Sequence, residues 1–282
     1  MAEKSTSLIL KILRAVWIII KSVFLGYAVI FSIVATALLV GAFLFVSKPL
    51  NEVKHLKKNN PAETAFMAQY RTHLLEQGEN DSLIHRFVPL DSIAPMLKKC
   101  VLAAEDDGFY THPGFDLNAI IDAIDHNRSQ NATIRGASTI TQQMAKNLFL
   151  SAERTYERKF WEFGYTLLME RYLGKERILE LYLNYAQWGK NIFGCEAASI
   201  HYFRKPSSRL TLNESARLAA VLAMPSRLSP HYTQSTFMAR RISVIANNLH
   251  LRGSISPAQY KELTGSYPPG MEPAPGPVES YE

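Results

Sequence analysis

From Val23 to Val46 the chain carries 24 residues without a charge, VFLGYAVIFSIVATALLVGAFLFV. As an α-helix such a run would be about 36 Å long, and the hydrocarbon core of a bilayer is ~30 Å thick, so it is predicted to span a membrane. A secretory signal would have a shorter apolar run ending at small residues suited to cleavage. This one continues into Lys48 and Pro49. Ahead of it, Ser7 to Ile20 mixes Lys11 and Arg14 with Leu, Ile, Val and Trp, and Lys21 follows. That is the pattern of a basic segment lying at the cytoplasmic lipid surface. Lys48, Lys54, Lys57 and Lys58 lie on the other side, so the positive-inside rule does not choose an orientation.

Beyond the span the pattern turns polar, punctuated by Asn59 and Pro61, and Val88 to Leu90 leads through Asp91-Ser92 as a short extended segment into a helix cap. From there apolar residues recur at three- and four-residue spacing: Met96, Leu97, Cys100, Val101 and Ala104, then Ile178, Leu179, Tyr182 and Leu183, then Leu218, Val221 and Leu222. Period-two alternation is scarce, so the fold class is mostly α. Ser256-Pro257-Ala258-Gln259 reads as a capping box with proline in the first turn, and Gly265 as the stop of that helix. The expected organisation is a basic amphipathic segment over residues 1–22, a transmembrane helix over 23–46 and a juxtamembrane segment over 47–86. A helical domain over 87–266 and a disordered proline-rich tail over 267–282 complete it.

A net charge of +6 favours anionic partners, whether nucleic acid, a membrane surface or a phosphorylated substrate, without choosing among them. Cys100 and Cys195 have no metal-ligand spacing and are expected as two buried thiols.

Three segments carry candidate chemistry. In LKKCVLAAEDDGFYTHPGFD, Leu97, Val101 and Glu105 follow at i, i+4, which puts a carboxylate in line with an apolar helix face. Asp107-Gly108 would end that helix, leaving Glu105 at the negative end of the dipole. Burial and dipole both favour the neutral acid, as a general base working near neutral pH requires. A solvated acidic last turn is the alternative. In RGASTITQQMAKNLFL, Gly136 and Ser138 can open a helix; Gln142 with Lys146 and Gln143 with Asn147 then form polar pairs suited to a sugar and a phosphate, or to solvent. In ERTYERKFWEFGYTLLMERYL, Arg154, Arg158 and Glu162 form one stripe, and Trp161, Tyr165, Leu168 and Tyr172 the stripe expected to be buried. An Arg/Glu surface ladder would look the same.

Taken in order, four blocks resemble the peptidoglycan glycosyltransferase family, glycosyltransferase family 51. They are Glu105-Asp106-x-x-Phe109-x-x-His112-x-Gly114; Gly136 through Gln142-Gln143-x-x-Lys146-Asn147; Arg158-Lys159-x-x-Glu162; and Ile178-Leu179-Glu180-x-Tyr182-Leu183-Asn184 running on to Gly189 and Gly194. HYFRKPSSRLTLNESARLAAVLAMPSRLSP resembles the family's closing helices, so the likeness covers roughly Phe87 to Pro230 as motif. The SxxK and KTG strings of the bifunctional relatives' transpeptidase domain do not occur, which points to the monofunctional branch.

The resemblance implies a lysozyme-like helical glycosyltransferase lobe after the single transmembrane helix. A small membrane-embedded jaw including Phe115 to Ile124 would complete a groove for lipid II and the growing lipid-linked glycan. It implies that Glu105 deprotonates the acceptor's 4-hydroxyl, which attacks the donor's anomeric carbon with inversion while undecaprenyl pyrophosphate leaves. Lys146, Arg154, Arg158 and Lys159 match positions that neutralise the pyrophosphate. Glu162 matches a second essential glutamate, which orients the cations and sugar or stabilises an oxocarbenium-like state. Asp106 and His112 would fix the base and its turn. Phe109, Ser138, Thr139, Gln142, Gln143, Asn147 and Asn184 fall at the remaining matched positions of the groove.

No cofactor is obligatory on this reading, although Mg²⁺ or another divalent cation is compatible with the pyrophosphate; no carboxylate cage is legible for it. The implied partners are the cytoplasmic membrane and cell-division or wall-synthesis proteins, not nucleic acid. Because glycan is polymerised outside the inner membrane, the amino terminus would be cytoplasmic and Lys48 onward periplasmic. Two rivals remain. A membrane-anchored lytic glycosidase could use Glu105 as an acid but needs no cation cluster, and a non-catalytic wall-synthesis scaffold needs neither carboxylate nor cations.

Overall fold

The computed structural model describes residues 2–117, 121, 138–151, 153 and 155–271. Gly136 and Arg154, residues 118–120 and 122–124 of the expected jaw, and residues 272–282 of the expected tail lie outside them. The described structure is mostly α-helical and divides into two compact units, Met1–Glu52 and Val53–Glu282.

The first unit is carried by helix α1, Ala2–Leu56, whose stretch Val16–Leu56 is long and apolar enough to cross a membrane. Phe24, Tyr27, Phe31, Leu39 and Phe43 are exposed along it. Where the sequence suggested a separate surface segment over Ser7 to Ile20, the helix is unbroken. No glycine or proline falls between Ser7 and Leu25, so nothing interrupts the i to i−4 ladder. It also runs past the expected end at Val46 and holds Pro49 within it.

The second unit begins at Val53 rather than Phe87. Val53, Leu56, Met67 and Leu74 are all in its core, so residues expected as a juxtamembrane linker belong to the folded unit. Helix α2, Ala65–Glu76, starts where the Thr64 hydroxyl accepts from the Met67 amide at 3.1 Å. Polar neighbours hide its apolar face in the linear sequence. Helix α3, Pro95–Glu105, opens with proline in its first turn and buries Leu97, Cys100, Val101 and Ala103. It packs against α8, Leu212–Val221, and α9, Thr236–Leu251, and α9 packs in turn on α10, Pro257–Thr264. The capping box at Ser256 and Gln259 and the left-handed Gly265 end α10 as expected.

Helix α4, Ile140–Phe149, packs on α2, on α5, Tyr156–Tyr172, and on α6, Lys175–Tyr185. A small sheet in the order β1-β3-β2 sits beside α7, Cys195–Phe203. Strand β1, Ile84–His85, runs parallel to β3, Ile192–Phe193, with Ile84 opposite Ile192, and β2, Gln187–Gly189, is antiparallel to β3. Two motif glycines are explained by close approach. Gly194 has φ of 85°, and a Cβ there would lie 2.6 Å from the Asn184 carbonyl oxygen. At Gly114, φ 98°, a Cβ would meet Thr166 and Glu170 at 2.8 Å.

Candidate active site

Glu105 is the last residue of α3, before the C-cap Asp106. Its Oε1 accepts from Arg241 Nη2 at 2.6 Å, and its Oε2 from Gln143 Nε2 at 3.2 Å. Burial pushes its pKa above the ordinary 4.5; the charge of Arg241 and the bonds from Gln143 and Arg241 oppose the rise without cancelling it, and nearby Asp106 adds to it. Gln143 is itself oriented, since its Oε1 accepts from the Tyr182 hydroxyl at 3.1 Å. That phenol is raised well above 10, chiefly by burial, and stays a donor.

Gln143 also lines a cavity of about 380 Å³, so the carboxylate and the cavity share a wall residue. Helix α4 gives this wall Gln142, Gln143, Lys146 and Asn147, preceded by Ser138, and the first turns of α5 give Arg158, Lys159 and Glu162. The N-terminus of α5 is capped by the Thr155 hydroxyl, which accepts from the Arg158 amide at 3.1 Å. A helix N-terminus and cations of its first turn favour an anion. Arg158 Nε is buried with no hydrogen-bond partner among the described residues. Glu162 is buried and accepts from Lys159 Nζ.

Helix α5 packs the expected Trp161, Tyr165, Leu168 and Tyr172 against the core, but its other faces differ from expectation. Glu162, Tyr165, Thr166 and Met169 are its buried residues, whereas Trp161, Leu168 and Tyr172 are only partly buried. Its polar edge turns inward because the cavity is polar. Its exposed edge is apolar instead: Tyr156, Phe160, Phe163 and Leu167 follow at spacings of four, three and four.

Several expected groove residues support the site from behind. Asp106 accepts from the Ile140 amide at 2.9 Å and is paired with His112 Nε2 at 2.8 Å, tying the end of α3 to the start of α4. Burial pushes the Asp106 carboxyl up, against the opposing pull of His112 and the amide. His112 Nδ1 accepts from the Gly114 amide at 3.1 Å. The Thr139 side chain caps α4 in a capping box with Gln142 and donates to the Gly114 carbonyl at 2.7 Å.

Like Asp106, His112 and Thr139, Phe109 and Asn184 do not line the cavity. Phe109 is a core residue beneath the Lys175 ammonium, 4.6 Å from its ring centroid. Asn184 is fully buried; it donates to the Val88 and Glu180 carbonyls at 2.9 Å each and accepts from the Val88 amide at 2.8 Å. Its amide is engaged by the extended segment before α3 and by its own helix α6, which corrects its expected place in the groove.

Sequence reasoning missed Arg241 and Phe66. Arg241 falls three residues after Met238 and four before Ile245, both buried, so a charge lies on the apolar face of α9. The same signal singled out Glu105. Phe66 lines the cavity from α2, in a stretch expected to be linker.

The two sides of Gln143 thus bring a buried carboxylate next to a cavity lined with cations, groups able to accept a proton and to neutralise an anion. Residues 72–250 match the family model described as Transglycosylase, and the chain belongs to that family. It is 45% identical over 196 residues to a biosynthetic peptidoglycan transglycosylase of Ralstonia nicotianae, covering 67% of this chain and 83% of that protein. A protein of the same description from Cupriavidus pinatubonensis is 46% identical over 166 residues, 58% of this chain and 66% of that one. Another, from Burkholderia lata, is 42% identical over 190 residues, 67% and 77%.

Proposed function

We propose that this chain polymerises lipid II into peptidoglycan glycan strands at the outer face of the cytoplasmic membrane. The observation that carries the reading is the junction at Gln143, which touches the Glu105 carboxylate and lines the cavity holding Lys146, Arg158 and Lys159. Glu105 takes the proton of the acceptor's 4-hydroxyl, and the freed oxygen attacks the anomeric carbon of the donor from the opposite side of the ring. The bond from that carbon to the phosphate oxygen breaks, and undecaprenyl pyrophosphate departs with the electron pair. Lys146, Arg158 and Lys159, with Arg154 nearby in sequence, stabilise its charge. Glu162 holds Lys159 in place and lines the cavity with it.

Among the described residues no group of three His, Cys, Asp or Glu side chains could hold an ion, and Glu162, the acidic residue of the cavity wall, is occupied by Lys159. Among the described residues the cavity wall therefore offers no divalent-cation cage of its own.

The lipid-linked nature of the substrate is supported by α1 and by the exposed apolar edge of α5. We place the amino terminus in the cytoplasm and the second unit in the periplasm, with that edge and Leu117 and Ile121, also exposed, as the membrane-seated jaw. Detergent-solubilised full-length protein incubated with labelled lipid II should make polymer, and Glu105→Gln and Lys146→Ala should each lower the rate by about 100-fold or more. Equal polymer from all three would overturn the mechanism. Release of sugar fragments from mature wall without polymerisation would favour the glycosidase.

A further inference from the structure

We propose that Arg241 is the positioning residue of the base: it fixes Oε1 of Glu105 and keeps the carboxylate ionised, leaving Oε2 to take the acceptor's proton. The inference rests on the reading of Glu105 as the base.

The two carboxylate oxygens are held unequally. Arg241 Nη2 approaches Oε1 to 2.6 Å and also donates to the Ala104 carbonyl at 3.3 Å, so the guanidinium grips both the side chain and the last turn of α3. A cation at a helix C-terminus is favourable in its own right. Among the described residues Oε2 has only the longer contact to Gln143, a residue of the cavity wall. The oxygen held by the cavity-wall residue is therefore the one whose partner is neutral and most easily replaced by a hydroxyl. Arg241 does not line the cavity, and its Nε is buried without a partner among the described residues. A buried unpaired donor costs stability, which a guanidinium present only for packing would have no reason to carry.

The charge environment makes Arg241 decisive. From α3 itself, Asp106 is paired with His112 and opposes ionisation of Glu105. From α4 comes the neutral amide of Gln143, and from α6 the phenol of Tyr182. Helix α8 sends no charge against the carboxylate: Glu214 is held by Lys205 at 2.6 Å, and Arg217 donates to the Pro230 carbonyl at 2.6 Å. Just past the end of α9, Arg252 is engaged with Asp107 at 2.8 Å. Among the described residues Arg241 is thus the cation in contact with Glu105, set against burial that favours the neutral acid. A buried ion pair of this kind is poor evidence for stability and better evidence for control of charge.

The test is the pH dependence of kcat/KM for polymerisation of labelled lipid II by full-length wild type and by Arg241→Lys, Arg241→Gln and Arg241→Ala. The acidic limb of this profile reports the essential base of the free enzyme. We expect the limb to move up by about one to three pH units in the Gln and Ala variants, and activity to recover at alkaline pH. Arg241→Lys should bring the limb most of the way back, with KM near the wild-type value because Arg241 lies outside the cavity. If Ala fails to fold, the Lys and Gln pair carries the comparison. A limb at the wild-type position in Arg241→Gln, with activity lowered evenly at every pH, would overturn the proposal and leave a structural role. Glu105→Gln separates the two readings: if it polymerises normally, the base assignment itself fails, whereas an inactive Glu105→Gln with an unmoved limb in Arg241→Gln sinks this inference alone.

Discussion

Glu105 is held in a state that its own surroundings resist, and the cost is measurable in the stability of the fold. Its folded pKa lies above the ordinary 4.5 because burial outweighs the Arg241 pair. The folded state therefore binds the proton more tightly than the unfolded chain. The contribution to stability is fully present below about pH 4.5 and is lost as pH rises through the raised folded value. Glu105→Gln carries no such loss, so its melting temperature should gain on wild type as pH rises above about 4.5. Each 1 kcal/mol of that gain would appear as roughly 2–4 °C in a domain of this size. A difference between the two melting curves that stays constant with pH would refute the raised value. Such residues were legible in part. The placement of a charge on an apolar helix face is visible in the order of residues, and it pointed to Glu105. The identity of the partner across the fold is not, because Arg241 lies 136 positions away. Asn184 shows the opposite failure: a polar residue in a motif was read as a groove residue, while its amide closes hydrogen bonds of the backbone around Val88.

Helices were the most readable layer, because three- and four-residue spacing and caps such as Ser256 with Gln259 act locally. What spacing does not disclose is the medium that each face meets. Helix α5 packs its expected apolar stripe of Trp161, Tyr165, Leu168 and Tyr172 on the core, but it also directs a polar edge into a cavity and leaves a second apolar edge exposed, which its pattern did not disclose. Two exposed phenyl groups on that edge, Phe160 and Phe163, would contribute roughly 1.5–3 kcal/mol each if fully buried in an apolar medium. Partial immersion of both would then account for about a tenfold change in lipid engagement. Replacing both by Asp in the full-length protein should lower kcat/KM by about tenfold for lipid II in bilayers. A short-chain, water-soluble analogue should be turned over almost as before. The same loss with both substrates would show that the edge serves the cavity rather than the lipid.

At the scale of the whole chain, the feature that the residue order left undecided is direction. Four basic residues precede the apolar run, Lys4, Lys11, Arg14 and Lys21, and four follow it closely, Lys48, Lys54, Lys57 and Lys58. The flanking charges cancel as a topological signal, since the rule depends on an excess on one side. The core adds a second constraint: Val53 and Leu56 belong to the folded unit, so the basic residues between Lys54 and Lys58 lie at or within its boundary. Those lysines are therefore expected to cross the membrane with the unit that contains them. Placing the second unit in the periplasm makes a definite prediction. Alkaline phosphatase, which is active only after export, should be active when fused after Leu90 in an export-competent bacterium. Substituting Lys57 and Lys58 by Gln should leave it active, because removing positive charge from the exported flank reinforces the same orientation. Inactive phosphatase in the unsubstituted fusion, with activity appearing only after the lysines are removed, would mean that the flank beyond the span is the cytoplasmic one and that the proposed reaction takes place on the wrong side of the membrane.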